Sequence, residues 1–393
     1  MRPPEIRLDD LLLRPWRPGD APAVARACAD PLIRRWTSVP DPYLHEHAVA
    51  FVAEWAPRQL AGRTGVPMGV FDADSGELLG SCGLARLDRE NGEAEVGYWT
   101  APWARGRGVA ERATRALLRW AFDSLDLQRI GWRAGAGNHV SRLVALRLGF
   151  TVGGVARAEL DRRGRHDQWH GELLAGELTT PSPDRPAAPG SRLARQAATF
   201  AGDRPVLDLQ ANGGPVRLRP LAERDFDGLV RSAADPQTLR WTNIPADYDR
   251  QEASQFLAFG RLRWERGEAV ELVLADGDDA FAGTISLRLG PDPAVGDIGY
   301  AVAPWARGRG YCAVAVRELS RWGFDALALA RVSWAANVGN EASRRVAQRA
   351  GFRMEGPRRS AITHRGRRVD IWTGALLPDD LTDPPTDATP QRR

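Results

Sequence analysis

The chain holds 393 residues, of which 43% are hydrophobic and 26% charged, enough for two or three ordinary domains at ~150 residues each. No window approaches the ~18 consecutive apolar residues of a membrane span, so membrane, fibrous and disordered classes are excluded. The formal net charge of +4 demands no polyanionic partner, although all 54 basic residues are arginine, a bias that drift in a GC-rich genome explains unless arginines gather at a phosphate site.

From the N-terminus, MRPPEIRLDDLLLRPW places acidic residues before a short apolar run. No signal peptide is expected from this pattern, and the cytoplasm is the expected compartment. Leu11–Leu13 opens a strand, Pro18-Gly19-Asp20 punctuates, and Asp20 is placed to cap a helix running to Ala29. Glu77–Leu84 and Glu93–Trp99 read as neighbouring strands. Beyond Gly108, residues Ala110, Ala113, Leu117, Ala121 and Leu125 recur at spacings of three and four, which is one apolar helix face. Arg129–Trp132 follows as a buried strand, then a short helix from Ser141 to Leu148 ended by Gly149.

Self-similarity organises the rest. Asp30-Pro31…Arg35-Trp36-Thr37…Pro40 returns as Asp235-Pro236…Arg240-Trp241-Thr242…Pro245, offset by 205 residues. Gly97-Tyr98 through Arg105-Gly106-Arg107-Gly108 returns as Gly299-Tyr300 through Arg307-Gly308-Arg309-Gly310, offset by 202, and so do Asn138 as Asn340, Ser141 as Ser343 and Gly149-Phe150 as Gly351-Phe352. A period near 200 means duplicated domains: residues 1–178 and 207–378, a Pro-rich linker over 179–206, and a disordered acidic tail over 379–393. Each copy is α+β, a mixed and mostly antiparallel sheet flanked by helices.

A strand, then Arg-Gly-Arg-Gly, then a long amphipathic helix is a device for anions. Glycine lets the backbone turn tightly and approach a ligand, and the first amides of the helix are unpaired. A pyrophosphate suits it. Cys28, Cys82 and Cys312 lie far apart with no CxxC, so neither disulfides nor zinc are indicated. His45 and His47, two apart, do not share a helix face; no metal is expected.

These residues resemble a family. A loop of the form Arg/Gln-x-x-Gly-x-Gly/Ala opening a helix, preceded by Gly-Tyr and Pro and followed by Asn-x-x-Ser and Gly-Phe, resembles the GNAT superfamily of N-acetyltransferases, in its RimJ/RimL-like branch. The likeness covers roughly 10–178 and 213–377, with Cys312 in place of a final small residue. It implies two tandem GNAT-like domains using acetyl-coenzyme A, or another acyl-coenzyme A, as cosubstrate. Arg105, Gly106, Arg107, Gly108, Val109 and Ala110, with Arg307, Gly308, Arg309, Gly310, Tyr311 and Cys312, would cradle its pyrophosphate. Trp99, Thr100, Ala301 and Val302 would pair with pantetheine, and Asn138 and Asn340 would hold that arm. Ser141 and Ser343 would protonate the leaving thiolate.

An amine with a pKa near ~10 must lose a proton before attacking a thioester. Glu95 is the candidate base in copy one, with Glu93 in reserve, and Asp297 is its counterpart. No cysteine suits a nucleophile, so direct transfer is expected. Trp36, Trp241, Trp103 and Trp305 are candidates for stacking on substrate. The expected acceptor is a primary amine of a small molecule, peptide or protein N-terminus, no membrane partner is expected, and the two copies would imitate a dimer within one chain. Two other readings stand beside this one: a coenzyme-binding module without turnover, and an aminoacyl-tRNA dependent transferase on the same fold. The tRNA reading lacks a basic patch, because the hairpin arginines (Arg162, Arg163, Arg165; Arg365, Arg367, Arg368) alternate with acids.

Overall fold

A computed structural model describes residues 5–161, 164–178 and 192–381. The chain divides into two compact units that meet at Gly190/Ser191.

The first unit runs β1 (Ile6–Arg7), β2 (Leu11–Pro15), α1 (Ala21–Cys28), α2 (Pro31–Trp36) and α3 (His45–Ala50), which passes through a π turn into α4 (Ala56–Ala61). Then come β3 (Val66–Asp72), β4 (Leu78–Asp88), β5 (Glu93–Thr100), α5 (Val109–Leu125), β6 (Arg129–Gly135), α6 (His139–Leu148), β7 (Thr151–Asp161) and β8 (Gly164–Leu174). The strands form one sheet in the order β1-β2-β3-β4-β5-β6-β8-β7. Among these pairings β5 and β6 alone are parallel.

The second unit repeats the plan. It holds α7 (Arg192–Phe200), β9 (Leu207–Ala211), β10 (Gly214–Arg219), α8 (Phe226–Ala233), α9 (Pro236–Trp241), α10 (Arg250–Arg266), β11 (Ala269–Asp276), β12 (Phe281–Leu289) and β13 (Val295–Val302). After these come α11 (Tyr311–Leu327), β14 (Arg331–Asn337), α12 (Glu341–Ala350), β15 (Arg353–His364) and β16 (Arg367–Leu376). The sheet order matches the first unit strand for strand, and β13 with β14 is its parallel pair. This is the α+β architecture, with a mixed and mostly antiparallel sheet, that the sequence predicts.

Strand alternation and helix periodicity place the cores. On β5, Ala94 and Val96 are buried against α5, whose own buried stripe contains Val109, Ala113, Leu117, Leu118, Ala121 and Leu125. Ala110, expected on that stripe, is half-buried. Each such leucine contributes roughly 1.5–3 kcal/mol by burial. On the other side of the sheet α1 to α4 bury Trp16, Val24, Ile33 and Val52 against Phe71 and Leu78.

Three expectations need correction. Asp20 does occupy the N-cap position of α1, but its side chain makes no capping bond to that helix; its carboxylate accepts from the Arg17 amide at 2.8 Å and holds the Arg14 guanidinium at 2.8 and 2.9 Å. Of the segment read as linker, 179–191 lies outside the described residues, but 192–200 is the helix α7. Its Gln196 and Thr199 side chains donate to the carbonyls of Pro293, Leu327 and Ala326, so those residues belong to the second unit. The first residues of the segment read as tail are likewise structured. Pro378–Leu381 forms a 3-10 turn with Leu381 buried and Asp380 paired to Arg353 at 2.7 Å, while 382–393 and the hairpin residues Arg162 and Arg163 lie outside the described residues.

Candidate active site

The parallel pair opens the site. β5 pairs with β6 from Glu93 to Val96 and then stops, while β4 continues to pair with β5 as far as Thr100. On its other edge β6 stays paired with β8 all the way from Arg129 to Gly135. Among the described residues nothing pairs with the free edge of Gly97–Thr100, so its amides and carbonyls face a wedge. The second unit reproduces this: β13 pairs with β14 over Val295–Ile298, and Gly299–Val302 carries the free edge. Trp99, Thr100, Ala301 and Val302 therefore sit where an extended ligand arm can complete a strand.

At the head of each wedge the chain turns into the long helix. Gly106 (φ 75°), Gly108 (φ 67°), Gly308 (φ 80°) and Gly310 (φ 80°) are all left-handed, and Gly108 and Gly310 are the N-caps of α5 and α11. Side chains other than glycine's meet steric cost there. A Cβ placed on Gly106, Gly108 or Gly308 would find no atom within 4 Å, so the loop presents bare backbone to open space. The first helical bond of α5 runs from the Arg112 amide to the Gly108 carbonyl at 3.1 Å, which leaves the preceding amides for an anion. In the second unit the β9–β10 turn buttresses this loop, with Gly213 donating to the Arg309 carbonyl at 2.9 Å and the Tyr311 hydroxyl to the Gly213 carbonyl at 3.2 Å. The cleft here has a volume of about 350 Å³, lined by Ala301, Val302, Gly308, Gly310, Asn340 and Ser343 among others. That lies in the range of small-molecule sites.

The two repeated sequence motifs meet here, a contact the sequence did not disclose. Arg105 pairs with Asp30, the residue that caps α2 by accepting from the amides of Leu32 and Ile33 at 3.0 Å each. Arg307 likewise holds Asp235 at 2.5 Å and reaches the Thr238 hydroxyl at 3.1 Å. The loop is thereby tied to the helix on the opposite side of the sheet, and these two guanidiniums are engaged within the protein. Arg307 holds the Asp235 carboxyl below the usual range, against its desolvation and helped by the Thr238 amide and hydroxyl. A depressed carboxyl stabilises the fold above its unfolded value of ~3.9, and that contribution disappears as pH falls through the folded value. Asp235→Asn, which keeps the cap but not the charge, is expected to lower Tm at pH 7 by ~2–4 °C and to flatten the acid limb of a thermal melt series below pH ~4. An unchanged acid limb would remove this pair from the account.

Ser141 and Ser343 lie in a network that sequence reasoning missed. In the first unit the Ser141 hydroxyl donates to Tyr98 Oη at 3.2 Å and accepts from Trp132 Nε1 at 3.2 Å, and Tyr98 donates to the Ser141 carbonyl at 2.9 Å. In the second, Tyr300 Oη lies 3.1 Å from Ser343 Oγ and 3.0 Å from its carbonyl, with Trp334 Nε1 donating at 2.9 and 3.3 Å. Burial pushes both tyrosine hydroxyls well above their usual value. The signal was present in the repeated Gly-Tyr. Asn138 and Asn340 cap α6 and α12 through Oδ1, at 3.2 and 3.1 Å from the serine amides; their amide nitrogens are the groups left for a ligand.

Glu95, Tyr98 and Trp99 lie on one strand, and alternation puts Glu95 with Trp99 on the face opposite Tyr98. The Glu95 carboxylate is held by Arg133 at 2.7 Å and Arg86 at 3.1 Å. Asp297 bonds to Arg288, with Nε at 3.0 Å, and Glu93 pairs with Arg129 at 3.1 Å. Each would give up an ion pair on taking a proton. Trp103 and Trp305 are framework rather than stacking platforms: their indoles donate to the Leu78 and Phe281 carbonyls at 2.8 and 2.9 Å, and Arg26 and Arg231 cover their rings at 3.7 Å. Trp241 does line the second cleft. Cys28 and Cys82 are buried thiols pushed up to about 12, and burial raises Cys312 further. Among the described residues no helix is long and apolar enough to cross a membrane, and no group of three metal-ligating side chains occurs.

Comparison with known proteins then defines the class. Residues 10–151 and 216–353 match the sequence profile of the acetyltransferase (GNAT) domain, one match per unit. The chain belongs to the GNAT acetyltransferases and is an N-acetyltransferase with two tandem domains. It is 36% identical over 131 residues to YdaF of Bacillus subtilis (strain 168), whose name assigns it provisionally to the ribosomal N-acetyltransferases; the match spans 31% of this chain and 70% of the relative. It is 35% identical over 88 residues to the ribosomal-protein-serine acetyltransferase of Escherichia coli (strain K12), spanning 22% of this chain and 48% of that one. Among solved structures it is similar to Mycobacterium smegmatis RimJ in complex with CoA-disulfide, at 24% identity and a TM-score of 0.42, over 45% of this chain and 89% of that one.

Proposed function

We propose that the chain transfers an acetyl group from acetyl-coenzyme A directly to a primary amine of a small molecule, peptide or protein N-terminus. The observation that carries this reading is the pairing, in both units, of an unpaired strand edge with a bare glycine loop at a helix N-terminus. The amides from Gly106 to Ala110 and from Gly308 to Cys312 suit a pyrophosphate. The free edges at Trp99-Thr100 and Ala301-Val302 suit an amide-bearing arm, and an amide there would also steady negative charge on the thioester oxygen. Acetyl-coenzyme A supplies the activated thioester as a substrate. The chain's own groups supply the protons: Ser141 and Ser343 give one to the departing sulfur, and Glu95 and Asp297, on the opposite sheet face, take one from the amine through water. Cysteines that stay protonated support transfer without an acyl-enzyme. Relatives named for ribosomal proteins favour a protein or peptide amine.

Release of free thiol from acetyl-coenzyme A, measured against a panel of peptides with free N-termini and of small primary amines, tests this reading. Amine-dependent release supports it. Coenzyme binding with no release on the whole panel would favour a non-catalytic module.

A further inference from the structure

The second cleft carries more positive charge than a pyrophosphate held by backbone amides requires. Its charged lining is Arg307, Arg345 and Arg349, with no carboxylate. Arg307 is already matched by Asp235. Arg345 and Arg349, four residues apart on α12, project from one helix face. Both are exposed, and neither has an ion-pair partner among the described residues. Their neighbour Arg344 is accounted for, lying 4.9 Å over the Trp372 ring and 3.9 Å from Glu341. Like charges at a four-residue spacing repel, so an empty pair of this kind is a standing demand for an anion.

The first unit answers that demand internally. Leu143 stands where Arg345 does, and Glu111 stands where Ala313 does. Glu111 holds Arg115 at 2.9 Å and Arg147, the counterpart of Arg349, at 3.6 Å. Between the units the same wall has lost one carboxylate and gained one guanidinium.

We infer that this wall of the second cleft binds a phosphomonoester at the nucleotide end of its ligand, separate from the pyrophosphate at the loop. Resting on the function proposed above, that group is the 3′-phosphate of coenzyme A. A phosphomonoester carries ~1.5–2 negative charges and three acceptor oxygens at neutral pH, and guanidiniums meet such oxygens in bidentate fashion. The first cleft accepts the coenzyme without this preference, so the two sites differ in what they read.

Calorimetric titration of the full chain with coenzyme A and with 3′-dephospho-coenzyme A tests the assignment. Two classes of site are expected for coenzyme A, one of which weakens about tenfold or more for the dephospho compound. Arg345→Gln with Arg349→Gln abolishes that difference, and Ala313→Glu narrows it while leaving both arginines in place. Adenosine 3′,5′-bisphosphate should compete better than ADP at this site, and inorganic phosphate at the same concentration should not. The inference is overturned if the double variant weakens both coenzymes equally or neither, or if inorganic phosphate displaces adenosine 3′,5′-bisphosphate as well as any nucleotide does. Should neither coenzyme bind at either site, the proposed function falls with it, an outcome distinct from equal binding of the two.

Discussion

A chain carrying both Gly108→Trp and Gly310→Trp is expected to lose at least a hundredfold in acetyl-coenzyme A dependent thiol release while remaining folded. Each glycine is left-handed at a helix N-cap, and at Gly108 the space a side chain would enter is empty. An indole there fills the region in front of the loop amides that a pyrophosphate needs. The conformational cost is roughly 1–2 kcal/mol per site, which a domain with ~5–15 kcal/mol of stability survives. A Tm within a few degrees of the parent checks this. The single variants then separate the units. If Gly108→Trp alone abolishes turnover, the first unit is the catalyst; if each variant removes part of it, both work. Full activity in the double variant would mean that neither loop holds the coenzyme.

That loop was legible in the sequence because its requirements are local. Positive φ at alternate residues demands glycine, and a repeat at an offset of 202 residues shows the demand twice. The long helices, the strand before them and the short capped helix after β6 were readable from periodicity for the same reason. β3 was not: Pro67 and Gly69 interrupt the strand signal of Val66–Asp72, and pairing with β2 and β4 on either side, a non-local effect, makes it a strand. The helix α7 was hidden by the Pro-rich residues before it, although Ala194, Ala197 and Phe200 form a buried stripe.

The site was less readable wherever its parts are far apart in sequence. Asp30 and Arg105, or Asp235 and Arg307, lie 75 and 72 residues apart, so each repeated motif was visible but their contact was not. The catalytic candidates show the same limit from the other side. Spacing placed Glu95 on the strand before the loop, yet the guanidiniums that hold it come from β4 and β6. Divergence between the units is informative for the same reason. The exchange of Glu111 for Ala313 looks like a surface change until the fold sets Glu111 3.6 Å from Arg147 and puts Ala313 and Arg349 on the lining of one cleft.

Ser141→Ala with Ser343→Ala is expected to lower kcat by ~10²-fold or more, in the range general-acid groups supply, while leaving KM for acetyl-coenzyme A within about threefold. The split follows from where the hydroxyl is used. In the resting chain the Ser141 hydroxyl donates a hydrogen bond to Tyr98 Oη and accepts one from Trp132 Nε1, so it is oriented before any ligand arrives. Turning that proton toward a departing thiolate matters only as charge develops on the sulfur, which is a transition-state interaction. Tyr98→Phe and Tyr300→Phe should cost less, because the tryptophan donors remain. The tyrosines also fix a sign for the pH profile. Burial disfavours the phenolate, so both hydroxyls stay protonated through the range in which kcat is measured. No fall in kcat up to pH ~10 should trace to them. A basic limb in that range that vanishes in the phenylalanine variants would show that a tyrosine, and not the serine beside it, is the group that gives up the proton.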